Sequence, residues 1–274
     1  MYQYPIRLLK IDQYGYHPFI TFRREGNELI ALIDTGASCS FLSSAFFDHL
    51  GDSFDEKKAL GFGHDFSVAS FLAENLEIAG HALPNAMISK SDMGVINHSL
   101  EMMGLKKVDG ILGSDILYLL ESKIDFSGEK LFIKKDTDGI PFWNEMQIAQ
   151  PNISILFEKQ PLTMILDTGA SQTLLNSSIA ERLFPHATWE INEKPSIGIS
   201  PDDLLESRRH IEVTFDDSEI TWDIDFIALK IDNINVAYDM LGVPQVHAIL
   251  GSDFLAKYHA IIDFQKADLF LSRR

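Results

Sequence analysis

The segment Ile33-Asp34-Thr35-Gly36-Ala37-Ser38 returns 133 positions later as Leu166-Asp167-Thr168-Gly169-Ala170-Ser171. In each copy an apolar run ends directly on the aspartate. A glycine follows two residues on, where a chain without Cβ bends tightly or approaches a neighbour closely. A carboxyl positioned in this way can move protons, as a general base when ionised and a general acid when protonated. A single Asp-Thr-Gly is no more than a strand-ending turn. Two copies in matching surroundings call for a common explanation.

A second block repeats at a shift of 138, running from Ile96-Asn97 to Phe126 and from Ile234-Asn235 to Phe264, with 14 of 31 residues identical. It contains Ile111-Leu112-Gly113 in the first copy and Ile249-Leu250-Gly251 in the second, 79 and 84 residues after the respective aspartates when counted to the glycine. Units of this size are domains rather than solenoid repeats, which are short and numerous. The sequence therefore predicts a duplication, with one unit over residues 1–138 and another over 139–274. The charged, Asp-Gly- and Pro-containing stretch around Lys134–Phe142 forms the junction.

The elements that must carry these loops read as mainly β. Phe19–Phe22, Leu29–Ile33, Ile153–Phe157 and Thr163–Leu166 are short and rich in β-branched or aromatic residues, and Glu219–Ile231 alternates for part of its length. Short helices are predicted over Ser43–Leu50 and Ser177–Leu183, and after Asp115 and Asp253. Ser and Asp of each Gly-Ser-Asp are read as helix caps. Met102, Met103 and Met240 are read as core filler.

Asp34-Thr35-Gly36-Ala37-Ser38 with Ile111-Leu112-Gly113, and the same pattern in the second half, resembles the retropepsin-like branch of the aspartic peptidases. The resemblance implies an all-β fold of two β-barrel units related by a pseudo-two-fold axis, and an aspartic-type endopeptidase that takes a peptide or protein substrate and no cofactor or metal. Asp34 and Asp167 become the paired catalytic aspartates, since two adjacent carboxyls cannot both ionise and one keeps a proton. Thr35 and Thr168 are expected to cross-link the two loops. Gly36 and Gly169 let the loops approach. The apolar-Gly triplets are expected beneath them. Pepsin-like relatives carry Ser or Thr where Ala37 and Ala170 stand, and many retroviral ones carry Asp where Ser38 and Ser171 stand. Main-chain recognition of substrate is therefore expected to differ in detail.

Each unit should also supply a hairpin flap. The candidates are Gly61, Phe62 and Gly63, followed by His64, and Ile197, Gly198 and Ile199. Glycine at a hairpin tip also satisfies a bare turn requirement. His64 has no counterpart in the second half and reads as a surface residue. Cys39 adjoins the first loop, but Gln172 holds the matching place, which argues against a thiol nucleophile.

Composition narrows the partners. With 40 acidic and 23 basic residues the net charge is -17, which repels nucleic acid and anionic membrane surfaces. One cysteine excludes an internal disulfide framework, and no His-Glu-x-x-His spacing suggests zinc. No leader-like or bilayer-length apolar run is present, so the expected protein is cytoplasmic and monomeric with pseudo-dimeric halves. Two other readings stay open at this point. One is an inactive peptide-binding or regulatory protein on the same scaffold. The other is a dimer in which each half pairs with another chain.

Overall fold

The computed structural model describes residues 2–10, 15–46, 55–60, 65–73, 76–78, 80–83, 86–102, 104–134, 150–157, 160–186, 206–215, 221–240 and 242–272. Within 55–60, 65–68 and 206–215 it describes the backbone alone.

The first half contains β1 (Tyr2–Pro5), β2 (Arg7–Lys10), β3 (Tyr16–Arg24), β4 (Asn27–Ile33), β5 (Phe41–Ser43), β6 (Asp55–Leu60), β7 (Asp65–Ala73), β8 (Leu76–Ile78), β9 (His81–Leu83) and β10 (Ala86–Ser91). These are followed by helix α1 (Gly94–Met102), β11 (Gly110–Leu112), α2 (Ser114–Leu119), β12 (Lys123–Asp125) and β13 (Lys130–Ile133). The second half contains β14 (Asn152–Phe157), β15 (Gln160–Leu166), β16 (Leu174–Asn176), α3 (Ser177–Leu183), β17 (Glu206–Phe215), β18 (Thr221–Leu229), α4 (Asp232–Met240), β19 (Ala248–Leu250), α5 (Ser252–Lys257), β20 (Ile261–Asp263) and β21 (Asp268–Phe270). The fold is mostly β with a few short helices, as the sequence predicts.

The two halves use one wiring. In the first, β4 pairs parallel with β11, β11 antiparallel with β5, and β5 parallel with β10. In the second, β15 pairs parallel with β19, β19 antiparallel with β16, and β16 parallel with β18. The halves differ in closure. Ile155 of β14 pairs with Phe215 of β17, and the second sheet closes into a barrel. The matching residue of β3, Phe22, instead pairs with Ile78 of the β8–β9 hairpin. That hairpin occupies the edge a closing strand would need, so the first half stays an open sheet.

A third sheet joins the halves, in the order β1-β13-β12-β20-β21. Across its centre β12 pairs antiparallel with β20, and the Phe126 and Phe264 N–H groups each donate into the opposite half, to Ala260 and Ser122 carbonyls at 3.0 and 2.9 Å. Ile124, Leu131, Leu117, Leu255 and Ile262 are buried in one apolar core that continues through both units. Truncating a residue so placed to Ala costs about 2–5 kcal/mol.

Two identities in the repeat have a structural cause. The Asn97 side chain donates to the Val108 carbonyl and accepts from the Val108 N–H, at 3.0 and 2.7 Å. Asn235 does the same to Val246 at 2.8 and 2.7 Å. Helices α1 and α4, which carry these asparagines, are not read from the sequence. Of the predicted Ser43–Leu50 helix, Ser43 ends β5 and Ser44–Phe46 form a 3-10 turn, and residues 47–50 lie outside the described residues. Met102 is 77 % exposed and is not core filler. It is the last residue of α1, two positions beyond buried Leu100, which turns it toward solvent. Among the described residues no helix is long and apolar enough to cross a membrane.

Candidate active site

Each aspartate follows the last residue of a strand laid beside an apolar-Gly triplet. The Asp34 N–H donates to the Leu112 carbonyl and the Asp167 N–H to the Leu250 carbonyl, both at 3.0 Å. The chain then turns sharply. The Gly36 and Ala37 N–H groups point back to Asp34 Oδ1 at 2.9 and 3.0 Å, and the Gly169 and Ala170 N–H groups to Asp167 Oδ1 at 2.8 and 3.0 Å. Each carboxyl is thus held by two backbone donors of its own loop, at matching positions in the two halves.

The loops are tied across the halves. Thr35 Oγ1 donates to the Leu166 carbonyl at 2.7 Å and accepts from the Thr168 N–H at 3.0 Å. Thr168 Oγ1 donates to the Ile33 carbonyl at 2.6 Å and accepts from the Thr35 N–H at 3.1 Å. Both threonines are fully buried. Behind each loop the glycine of the triplet packs on backbone. A Cβ on Gly113 would stand 2.6 Å from the Cys39 carbonyl carbon, and one on Gly251 2.5 Å from that of Gln172.

The glycines of the Asp-Thr-Gly segments make the approach possible. A Cβ on Gly36 would fall inside the Asp167 carboxyl, and a Cβ on Gly169 inside that of Asp34. Each carboxyl rests on the opposite glycine, which sets the two carboxyls side by side. Two carboxyls so close cannot both ionise, so they share one proton, which bonds them to each other. Burial pushes the Asp34 carboxyl up, against the pull of the bond to Asp167 and of the Ala37 and Gly36 N–H groups. Asp167 lies well above the usual carboxylate range, through burial first and then through the charge of Asp34 and the bond to it. The pair titrates as a unit.

Ser38 and Ser171 follow the loops, Ser38 exposed and Ser171 partly buried. The Gly-Ser-Asp residues brace the loops more than they cap helices. Ser114 Oγ donates to the Thr35 carbonyl at 2.7 Å, away from α2. No side chain caps Gly113 or Gly251. Asp115 accepts from the Ser40 N–H and hydroxyl and from the Ile116 N–H, at 2.8, 2.6 and 2.7 Å. It therefore meets one first-turn N–H while anchoring Ser40, whose Oγ accepts from Gly113 N–H at 2.8 Å. Asp253, Thr173 and the Gly251 N–H repeat this chain at 2.8 and 3.0 Å. Burial pushes the Cys39 thiol up to about 12, helped by the Asp115 charge, so it stays protonated.

Of the flap candidates, Gly61, Phe62, Gly63 and His64 lie outside the described residues, as do Ile197, Gly198 and Ile199. The strands flanking the first set are described. β6 and β7 pair antiparallel up to Leu60 opposite Asp65. Sequence reasoning missed two polar side chains at the loops, His17 and Gln150, because their partners lie 151 and 114 residues away.

Curled β-sheets in two similarly wired halves, each presenting an Asp-Thr-Gly turn to the other, define the aspartic-protease class of fold. Residues 113–273 match the model of the eukaryotic aspartyl protease family, and the chain belongs to that family. No curated protein matches the chain. Family membership supports aspartic-type proteolysis with peptides as substrates.

Proposed function

We propose that the chain is an aspartic endopeptidase whose reacting pair is Asp34 and Asp167, one from each half of a duplicated chain divided near residues 138 and 139. The observation that carries this is the seating of each carboxyl on the opposite half's glycine, which brings the two carboxyls together.

The chemistry follows from one shared proton. The ionised carboxyl takes a proton from a water molecule while its oxygen attacks the amide carbon. The protonated carboxyl gives its proton to the carbonyl oxygen, leaving a tetrahedral diol. The proton gained from water then passes to the departing nitrogen, the C–N bond breaks, and a diol proton returns to the pair. Peptide would bind extended, adding a strand beside the loops under the paired strands β6 and β7. Side chains would alternate between pockets along the cleft.

The test is cleavage of a mixed peptide library by the purified protein, beside Asp34→Asn and Asp167→Asn. Each single variant should lose nearly all cleavage while staying folded, and the double variant should be little worse, since the carboxyls act as a unit. Substantial activity in either single variant rejects the shared-proton pair. Peptide binding without cleavage by the parent points instead to an inactive binding protein.

A further inference from the structure

We infer that His17 and Gln150 are positioning residues, each reaching across the halves to orient the peptide unit that holds the opposite carboxyl. The inference rests on the reading of Asp34 and Asp167 as the reacting pair.

The two residues stand at the same place in their halves. Phe19 lies opposite Leu32 in the β3–β4 pair, and Asn152 lies opposite Ile165 in the β14–β15 pair. Both offsets are 133, so His17-Pro18 and Gln150-Pro151 coincide two residues ahead. Each side chain leaves its own half. His17, 4 % exposed, places Nδ1 3.2 Å from the Thr168 carbonyl oxygen. A carbonyl only accepts, so this bond puts the imidazole proton on Nδ1. Gln150 Nε2 donates to the Gly36 carbonyl. Its Oε1 accepts from the Tyr238 hydroxyl at 2.6 Å, which fixes the direction of the amide.

What these bonds do follows from peptide planarity. The Thr168 carbonyl and the Gly169 N–H belong to one rigid unit, so a donor holding the oxygen also aims the N–H. That N–H donates to Asp167 Oδ1 at 2.8 Å. The Gly36 carbonyl and the Ala37 N–H belong to another, and that N–H donates to Asp34 Oδ1 at 3.0 Å. A bond at the carbonyl end also polarises the N–H and strengthens the bond it makes. Two chains result. One runs from His17 through a peptide to Asp167, and the other from Tyr238 through Gln150 and a peptide to Asp34.

A break in the internal symmetry supports a specific task for His17. In the first loop Ser114 holds the Thr35 carbonyl from within its own half. Its counterpart Ser252 has the same backbone anchorage, with N–H to the Ala170 carbonyl at 2.8 Å against 2.9 Å for Ser114 to Ala37. Yet Ser252 Oγ is buried without a hydrogen-bond partner among the described residues. The Thr168 carbonyl is held by His17 instead. A stranded buried hydroxyl is unfavourable, so the exchange is not explained by packing. The N-terminal segment has no spare room there either, since a Cβ on Gly15 would stand 2.6 Å from Ser252 Oγ.

The experiment combines kinetics on one defined peptide with carbon-13 titration of the Asp34 and Asp167 carboxyls. His17→Phe and Gln150→Leu should each lower kcat by about tenfold or more with KM little changed, the signature of lost transition-state alignment. His17→Gln, which keeps a donor and copies the other half, should regain most of the loss. Looser N–H donors disfavour the ionised carboxyl, so the pair's lower apparent pKa should rise in the two apolar variants. If His17→Phe does not fold, His17→Asn is read in the same way, its shorter amide falling short of the carbonyl. Unchanged kcat with an unshifted titration overturns the inference, as does a His17→Gln variant no better than His17→Phe. A parent that cleaves no peptide rejects the peptidase reading alone, and the titration then decides this one.

Discussion

Ile124 lies directly opposite Ile262 in the strand pair that joins the halves, and the two are each other's counterparts at the shift of 138. A residue paired with its own counterpart marks where the internal two-fold axis passes. One position away, Lys123 faces Asp263, and their ion pair at 2.8 Å departs from the symmetry, because Asp125 faces Ile261.

That ion pair should matter for holding the halves together. Burial pushes the Asp263 carboxyl up, but the Lys123 hydrogen bond and charge and the Lys266 and Gln265 N–H groups outweigh it and hold the group below its usual value. A depressed carboxyl stabilises the fold above its unfolded pKa, and that contribution disappears as the pH falls through the folded value. Lys123→Met leaves the carboxylate buried and short of its cation. With Lys123 itself 25 % exposed, the cost at pH 7 should be about 2–3 kcal/mol, below the range for fully buried pairs. Urea unfolding of parent and variant at pH 7 and at pH 3 measures it. The difference should shrink at the lower pH, and equal midpoints at pH 7 would discount the pair.

Thr35→Val tests the grip between the loops. The substitution keeps the shape but leaves the Leu166 carbonyl without a donor and the Thr168 N–H without an acceptor, both inside the protein. The expected loss is about 2–4 kcal/mol, with Thr35→Ser much milder because it keeps the hydroxyl. Thermal unfolding of the three proteins checks the order.

Gly36→Ala addresses the contact between loop and carboxyl. A methyl there occupies the space of the Asp167 carboxyl, and Gly169→Ala does the same to Asp34. Each should reduce kcat/KM by about 100-fold or more, since reacting groups displaced by an ångström lose most of their alignment. Near-parental kinetics in either variant means the carboxyl does not sit where the glycine places it.

The working pH should follow from Ala37 and Ala170. Their N–H groups bond the carboxyls, but they carry no hydroxyl that could further favour the ionised form. Both carboxyls already stand above their usual value through burial, so the singly protonated pair persists upward in pH. The expected profile of kcat/KM is bell-shaped and centred in the weakly acidic to neutral range, with Ala37→Ser, Ala170→Ser shifted toward acid. A strongly acidic parent optimum, or no shift in the double variant, counts against this account.

The loops were the most legible part of the sequence. Asp-Thr-Gly, its doubling and the downstream apolar-Gly triplets each reflect a local requirement, and local requirements leave local patterns. The strands beneath them were readable from β-branched runs, and Ser177–Leu183 is α3 as expected. Helices α1 and α4 were hidden because the repeat there mixes polar and apolar residues without a clear period, although Asn97 and Asn235 recur with Val108 and Val246 at a fixed spacing of 11. That recurring pair was the available signal. The open sheet of the first half could not be foreseen, since it depends on which strand reaches the edge of β3 first. His17 and Gln150 were invisible for the same kind of reason. Their partners lie in the other half, and only the offset of 133 between His-Pro and Gln-Pro hints that they correspond.

The presence of His17 at one loop and Gln150 at the other has a consequence for how such a cleft can diversify. In a homodimer every residue beside the axis appears twice, so a change that suits one side of the bound peptide is imposed on the other. Here a single substitution touches one rim only. A peptide chain has a direction, with different groups on either side of the bond to be cut, and a two-fold site can match it only by compromise. One continuous chain removes that restriction, allowing the surfaces on the two sides of the scissile bond to drift toward different tastes while the pair between them stays the same.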